Sequence, residues 1–345
     1  MADMTRREFA AAAATVLASA RVAGLKGSRS FEPVERESFT RAADQTRAYR
    51  YVHLDVFTDR RMAGNQLLVY TDPTGLDTEP IQALTPESNY SENTFVFAAE
   101  QAATDYRVRI FTRTAETPFA GHPTIGTAFA LAHTGRLKPG TARTTFQLGV
   151  GPTPLDLEWK DGTLAFAWMT QQKPTFGKTI TDRAALAAAL GLEPQSVDSA
   201  APAQEVYSGS TFFIVPLATR KAVDGAVLDR AKVDALFAAA GIQRRGIYVF
   251  STEKGSDTAT AYSRMLPAGG IEDPATGSAV GSAGAFMAKH RLVPAERADS
   301  IVVLQGVLAR RPSLLHVRVE FAGGDVSGVK VGGTSVVVGE GAMAP

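Results

Sequence analysis

One pattern occurs twice in this chain and constrains its fold more than any other feature. The first copy is Gly121-His122-Pro123-Thr124-Ile125-Gly126-Thr127-Ala128, the second Glu272-Asp273-Pro274-Ala275-Thr276-Gly277-Ser278-Ala279. Aligned on their prolines, 151 residues apart (274 − 123), they share Pro-x-x-Gly-[Ser/Thr]-Ala. Each opens an apolar run of helical length, 123–134 and 274–289, with Ala, Gly, Phe, Leu, Val and Met on every face. A helix that is apolar all round is enclosed by other elements, not laid on a surface. Two enclosed helices with similar starts predict a chain of two similar halves. Proline suits the first helical position, where the missing N–H has no partner to lose, so Asp273 is expected as N-cap with His122 in the equivalent place. Helix starts carry free N–H groups and partial positive charge. If both face one cleft, that cleft is built for a small anion such as a carboxylate; two core helices starting at solvent are the plainer alternative.

The chain has 345 residues, 45% hydrophobic and 21% charged, enough for two domains with a sizeable core. A formal net charge of +1 gives no electrostatic reason to expect nucleic acid or an anionic membrane as partner. The absence of cysteine excludes disulfides, thiolate zinc sites and cysteine catalysis, and the five scattered histidines lack metal-binding spacing. No apolar stretch is long enough for a stable membrane span. At the N-terminus, Thr5-Arg6-Arg7-Glu8-Phe9, an alanine-rich run and Ala18-Ser19-Ala20 read as a twin-arginine export signal over residues 1–20. That predicts a periplasmic or exported protein that engages the twin-arginine export machinery. Residues 21–48 read as a polar tether.

From Tyr49 onward strands dominate. Alternation predicts strands at 51–57, 94–98 and 106–112, the last two paired. Further strands follow around a Lys160-Asp161-Gly162 turn. Helices are predicted at 182–190, with Thr181 or Asp182 as cap, and at 229–240, each ahead of a glycine. Strand-rich halves around one apolar helix each fit an α+β class, without the alternation of a parallel βαβ sheet.

Among candidate chemical groups, Glu92 precedes the apolar run 94–98, where poor solvation would raise its pKa and suit it to proton transfer; an ordinary solvated turn residue is the plain reading. His122 and Asp273 stand at the mouths of the two apolar helices, where each either meets a ligand or merely caps its turn. Ser278 and Thr127 lie in the first helical turns, able to bind an anion or simply pack. Asn65 could reach a ligand, although turn chemistry alone explains Gly64-Asn65.

Three stretches together resemble the PhzF family: Ser91-Glu92-Asn93-Thr94-Phe95-Val96, Thr117-Pro118-Phe119-Ala120-Gly121-His122-Pro123-Thr124, and the second copy of the repeat. Gln305-Gly306, Arg311-Pro312-Ser313 and Val331-Gly332-Gly333 fit its later motifs, in order, over roughly residues 49–341. These are phenazine-biosynthesis-like isomerases with the diaminopimelate epimerase fold. The resemblance implies two pseudo-symmetric halves, each a curved, mostly antiparallel sheet wrapped around a central apolar helix. The halves are expected at 49–170 plus 329–345 and at 171–328, with the active site between them.

The resemblance also implies catalytic Glu92, His122 and Asp273, with Ser91, Gly121, Gly277 and Ser278 at the substrate. It implies no cofactor, no metal and a possible homodimer. Epimerases of the wider superfamily use two cysteines, which this chain lacks, so the expected chemistry is one carboxylate moving one proton on a small carboxylate-bearing substrate. A periplasmic carboxylate-binding protein without catalysis, or a lyase or hydrolase using the same base, are the alternatives. Two departures from the family pattern, Gln66 after Gly64-Asn65 and Ala309-Arg310 before Arg311-Pro312-Ser313, are expected to reshape the rim of the cleft. The export signal is a third.

Overall fold

The computed structural model describes residues 47–267 and 271–345. The export signal and residues 21–46 of the tether lie outside the described residues. The elements run β1 (Tyr49–Val56), β2 (Asn65–Tyr70), α1 (Thr78–Glu87), β3 (Glu92–Ala98), β4 (Tyr106–Thr112), β5 (Glu116–Thr117), α2 (Gly121–His133), β6 (Arg143–Leu148), β7 (Gly151–Lys160) and β8 (Thr163–Thr170). They continue with β9 (Thr175–Ile180), α3 (Arg183–Ala189), β10 (Ala203–Tyr207), β11 (Thr211–Pro216), α4 (Arg220–Gly225), α5 (Arg230–Ala240), β12 (Gly246–Ser251) and β13 (Ala261–Leu266). The last are α6 (Gly277–Lys289), β14 (Ile301–Gln305), β15 (Ser313–Ala322), β16 (Asp325–Gly333) and β17 (Ser335–Met343).

The strand pairing repeats itself. From β1 through β2, β3, β4, β6, β7 and β8, successive pairs run antiparallel, parallel, antiparallel, parallel, antiparallel, antiparallel. From β10 through β11, β12, β13, β14, β15 and β16 the order is the same. The parallel steps fall where a chain segment containing helix crosses over: α1 or α4 and α5 at the first, α2 or α6 at the second. After the first run of the pattern β9 pairs with β10 of the second, after the second run β17 pairs with β1 of the first, and β8 joins β16. This is an α+β fold of two pseudo-symmetric halves.

Both repeat helices are enclosed. Every residue from Gly121 to Leu131 and from Gly277 to Ala288 is buried, α2 against β1, β2, β8 and β17, α6 against β10, β11, β15 and β16. Burial on all sides removes any need for a polar face; at about 1.5–3 kcal/mol for each fully buried large apolar side chain, these helices anchor the two cores. Local signals hold elsewhere. Asp182 and Asp229 cap α3 and α5, Gly241 ends α5 with φ 63°, and Asp161 and Gly162 turn between β7 and β8 with φ 51° and 77°.

The helix starts differ from the sequence expectation. Pro123 is the third residue of α2, the cap is Ala120, and His122 lies inside the first turn. Proline is tolerated throughout that turn, so it does not mark the first position. Pro274 precedes α6 altogether, whose cap is Thr276, so Asp273 is not a helix cap. Here long-range side chains occupy the backbone groups a helical turn would use: Gln305 binds Asp273 O and Thr276 N, and Asn65 binds Ala275 O. Aligning the repeat on its prolines matches Gly277 with Gly126; in space the helix starting at Gly277 faces the one starting at Gly121, five residues earlier.

Candidate active site

The two inner helices meet start to start. A Cβ on Gly121 would lie 2.4 Å from the carbonyl carbon of Gly277 and 2.6 Å from the nitrogen of Ser278, so only glycine permits this approach. A Cβ on Gly277 would lie 3.0 Å from Gly121 Cα. The first N–H groups of each helix have no intrahelical acceptor, and neither cap side chain accepts from them. Two partial positive ends this close repel unless negative charge stands nearby, and two carboxylates do.

Asp273 comes from the turn before α6. Its Oδ1 accepts from Asn65 Nδ2 at 2.6 Å and Ser91 Oγ at 3.2 Å, its Oδ2 from Thr276 Oγ1 at 2.6 Å. Asn65 and Ser91 belong to the first half, so the carboxylate ties the halves together. Asn65 is placed by a clamp: Arg311 donates to Gly64 O and Ala63 O, both at 2.8 Å, and pairs with buried Asp55, while Gly64 takes φ 66°. The Asn65 amide nitrogen also lies 3.1 Å from His122 Nδ1.

Glu92 is the first residue of β3, not a residue before it, and leaves one-fifth of its side chain exposed. Its Oε2 lies 3.8 Å from His122 Nε2, too long for a hydrogen bond. His122 Nε2 is buried and has no hydrogen-bond partner among the described residues. Desolvation holds the imidazole neutral, lowering its pKa to about 3, with a backbone hydrogen bond to Gln66 working the other way. Desolvation, with the Asp273 charge next, raises the Glu92 carboxyl to about 8, and Arg113 opposes this. Burial raises Asp273 too, but donors from Thr276, Asn65 and Ser91 favour its ionised form. Glu92 accepts no such bond among the described residues. The donors on Asp273, and the lack of any on Glu92, favour the charge on Asp273 and the proton on Glu92.

Eight of the nine residues singled out from the sequence converge here: Glu92, His122, Asp273, Ser91, Asn65, Gly121, Gly277 and Ser278; Thr127 is instead buried, its hydroxyl bonded to Pro123 O and Thr94 Oγ1. Asn65 differs in manner, since its amide nitrogen is taken up by protein groups and joins the halves. At the Gln66 departure the backbone meets His122 while the side chain points elsewhere. Strand alternation turns its side chain away from that of Asn65, to the Tyr90 hydroxyl, which also meets His53 Nε2 at 3.1 Å. At the other departure Arg310 adopts φ 57°, which glycine takes more readily. The residues passed over are Thr276, Gln305 as a side chain, and Gln171, whose amide donates to Gly277 O at 2.9 Å. The roomier surface hollows, such as one of about 850 Å³ between Phe176 and Phe321, hold none of these groups.

Residues 54–341 match the family described as phenazine biosynthesis-like protein. The chain is 36% identical over 302 residues to a trans-2,3-dihydro-3-hydroxyanthranilate isomerase of Pseudomonas aeruginosa, covering 85% of this chain and 98% of that one. It is similar to the crystal structure of a PhzF-family phenazine biosynthesis protein of Bacillus anthracis, with TM-score 0.75, 26% identity and coverage of 86% and 99%. A hydroxyproline epimerase of Agrobacterium vitis shares the fold alone, with TM-score 0.59, 14% identity and coverage of 86% and 93%. The chain therefore belongs to the phenazine biosynthesis-like (PhzF) family of isomerases.

Proposed function

We propose that this isomerase moves a proton between two carbons of a small carboxylate-bearing substrate, with Glu92 as the carrier and no cofactor. The observation that carries the reading is the pairing of a carboxyl raised to about 8 with an unpartnered, neutral imidazole nitrogen 3.8 Å away, beside two converging helix starts. At pH 7 roughly a tenth of Glu92 is ionised, so both forms are populated. The ionised carboxylate accepts a proton from a substrate carbon. The electron pair left behind delocalises toward the substrate carboxylate, where the N–H groups at Gly121, Gly277 and Ser278 stabilise it. Glu92 then returns its proton to a second carbon, so nothing is gained or lost overall. His122 Nε2 and Asp273, with Ser91 beside it, orient polar groups of the substrate, and Asn65 holds the two halves in register. The Pseudomonas relative is named for a substrate with one carboxylate; the class is carried over here, not the compound.

The test is solvent-deuterium exchange on carboxylic acids selected by thermal shift. Turnover places deuterium on carbon. Glu92→Gln is expected to bind the same acid with unchanged Kd while turnover drops about 10²–10⁴-fold. Turnover within a few-fold of the parent would end this role for Glu92. We also propose export through the signal at residues 1–20 and a homodimeric state. Cell fractionation and sedimentation test these, and a cytosolic or monomeric full-length chain overturns the respective proposal.

A further inference from the structure

We infer that Gln305 is a positioning residue for Asp273, fixing the direction in which the Thr276 hydroxyl points its proton. This rests on the reading of Asp273 as part of the substrate site. Gln305 ends β14, where alternation places it on the same face as Ile301 and Val303, without exposed surface. An apolar residue is the ordinary occupant of such a slot, and a glutamine there must satisfy its whole amide.

It does. Nε2 donates to Asp273 O and to Thr276 Oγ1, each at 3.0 Å; Oε1 accepts from Thr276 N at 3.2 Å and lies 3.2 Å from the Tyr248 hydroxyl. Both amide donors are used and the oxygen accepts from Thr276 N, with its other side facing the Tyr248 hydroxyl, whose shorter bond goes to Ser263 Oγ at 2.7 Å. A threonine hydroxyl has one proton. Because Thr276 Oγ1 accepts from Gln305, that proton is left for Asp273 Oδ2, 2.6 Å away. Gln305 thus sets the polarity of one of the three side-chain bonds that favour ionised Asp273. It also keeps residues 273–276 out of helix α6, so that the carboxylate reaches Asn65 and Ser91 in the other half.

The groups facing Asp273 are Glu92 on β3, His122 on α2 and the adjacent Glu272, which pairs with Arg264 on β13; Tyr248 on β12 stands behind Gln305. Of these, changing Gln305 alone directly alters the surroundings of Tyr248, which loses the amide oxygen 3.2 Å from its hydroxyl. The experiment follows the carboxyl titration of Asp273 by carbon NMR in labelled full-length protein, with Asp273→Asn to assign the resonance. In Gln305→Leu the Thr276 hydroxyl is free to turn, and the Asp273 midpoint should rise by about one pH unit. Thr276→Val should raise it as much, and the double variant no further, because both remove the same bond. With an active substrate, kcat should fall about tenfold with KM nearly unchanged. If Gln305→Leu is too unstable to study, Tyr248→Phe removes only the outer support and should give a smaller rise.

An unchanged Asp273 titration in folded variants, or additive effects of Gln305→Leu and Thr276→Val, would overturn the inference and leave Gln305 a packing residue. The titration needs no turnover. Loss of the proposed reaction with a responsive Asp273 would therefore condemn the reaction and spare the relay.

Discussion

The two helix starts carry similar sequences and are built differently. The start of α2 is packed. Ala120 is extended, no side chain caps it, and the local side-chain bonds, Thr124 Oγ1 to Ala120 O and Thr127 Oγ1 to Pro123 O, both at 2.7 Å, are made within the first turns. The start of α6 is wired. Asn65, Ser91, Gln171, Thr276 and Gln305 all place hydrogen bonds on residues 273–277. The packed start presents a neutral histidine near a protonated glutamate; the wired start presents an aspartate kept ionised by donors. Apolar packing suits a group that must stay uncharged, and a bonded turn suits one that must hold charge. On the proposed mechanism the difference divides the labour: one half holds the mobile proton, the other the fixed anion.

The largest expected effect comes from forcing the starts apart. A methyl on Gly121 meets the backbone of Gly277 and Ser278, which cannot turn aside, whereas one on Gly277 meets first the ring edge of Phe57, at 2.9 Å. Gly121→Ala is therefore expected to cost about 3 kcal/mol of stability and to abolish turnover, since helix α2 has to retreat as a unit. Gly277→Ala should cost about 1–2 kcal/mol and leave measurable turnover, because a ring can tilt. Urea unfolding and kcat for the pair check the ranking. Equal losses would mean the interface yields as readily at either start, and the packed-versus-wired distinction would lose its footing.

How much of this was legible beforehand follows the range of each interaction. Two helices apolar on every face announced two enclosed cores, because periodicity is a local property. The motifs around Glu92, His122 and Asp273 located the chemistry, yet not the helix registers, since proline is permitted across a whole first turn. The Asn65–Asp273 bond joins residues 208 apart and leaves no local trace. The same is true of β9, a largely exposed strand after the first run of the pattern that pairs with the second and whose residues show no alternation. Gln305 did leave a signal: in Ile301-Val302-Val303-Leu304-Gln305 it shares the inward phase of Ile301 and Val303. A polar residue in a buried phase asks for partners, and here the partners define the site.

The smallest expected effects lie in the pH dependence of stability, which separates the first half's two groups by sign. Burial raises Glu92 to about 8 in the folded chain, against the ordinary 4.5 of the unfolded one. Between those limits the folded chain keeps a proton the unfolded chain has released, so stability is present at low pH and lost as pH rises toward 8. His122 titrates at about 3 folded against 6.5 unfolded, so the unfolded chain binds the extra proton and stability is lost as pH falls from 6.5 toward 3. Glu92→Gln should thus exceed the parent in stability by about 1–2 kcal/mol at pH 8.5 relative to pH 5, a figure kept low because part of the side chain reaches solvent. His122→Gln should gain by a similar amount at pH 4.5 relative to pH 7. Chemical unfolding of the three proteins at these pH values decides the matter. If the curves run parallel, neither group is held in the form that proton transfer by Glu92 demands. If only the histidine curve bends, the protonated partner of the ionised Asp273 lies elsewhere than on Glu92.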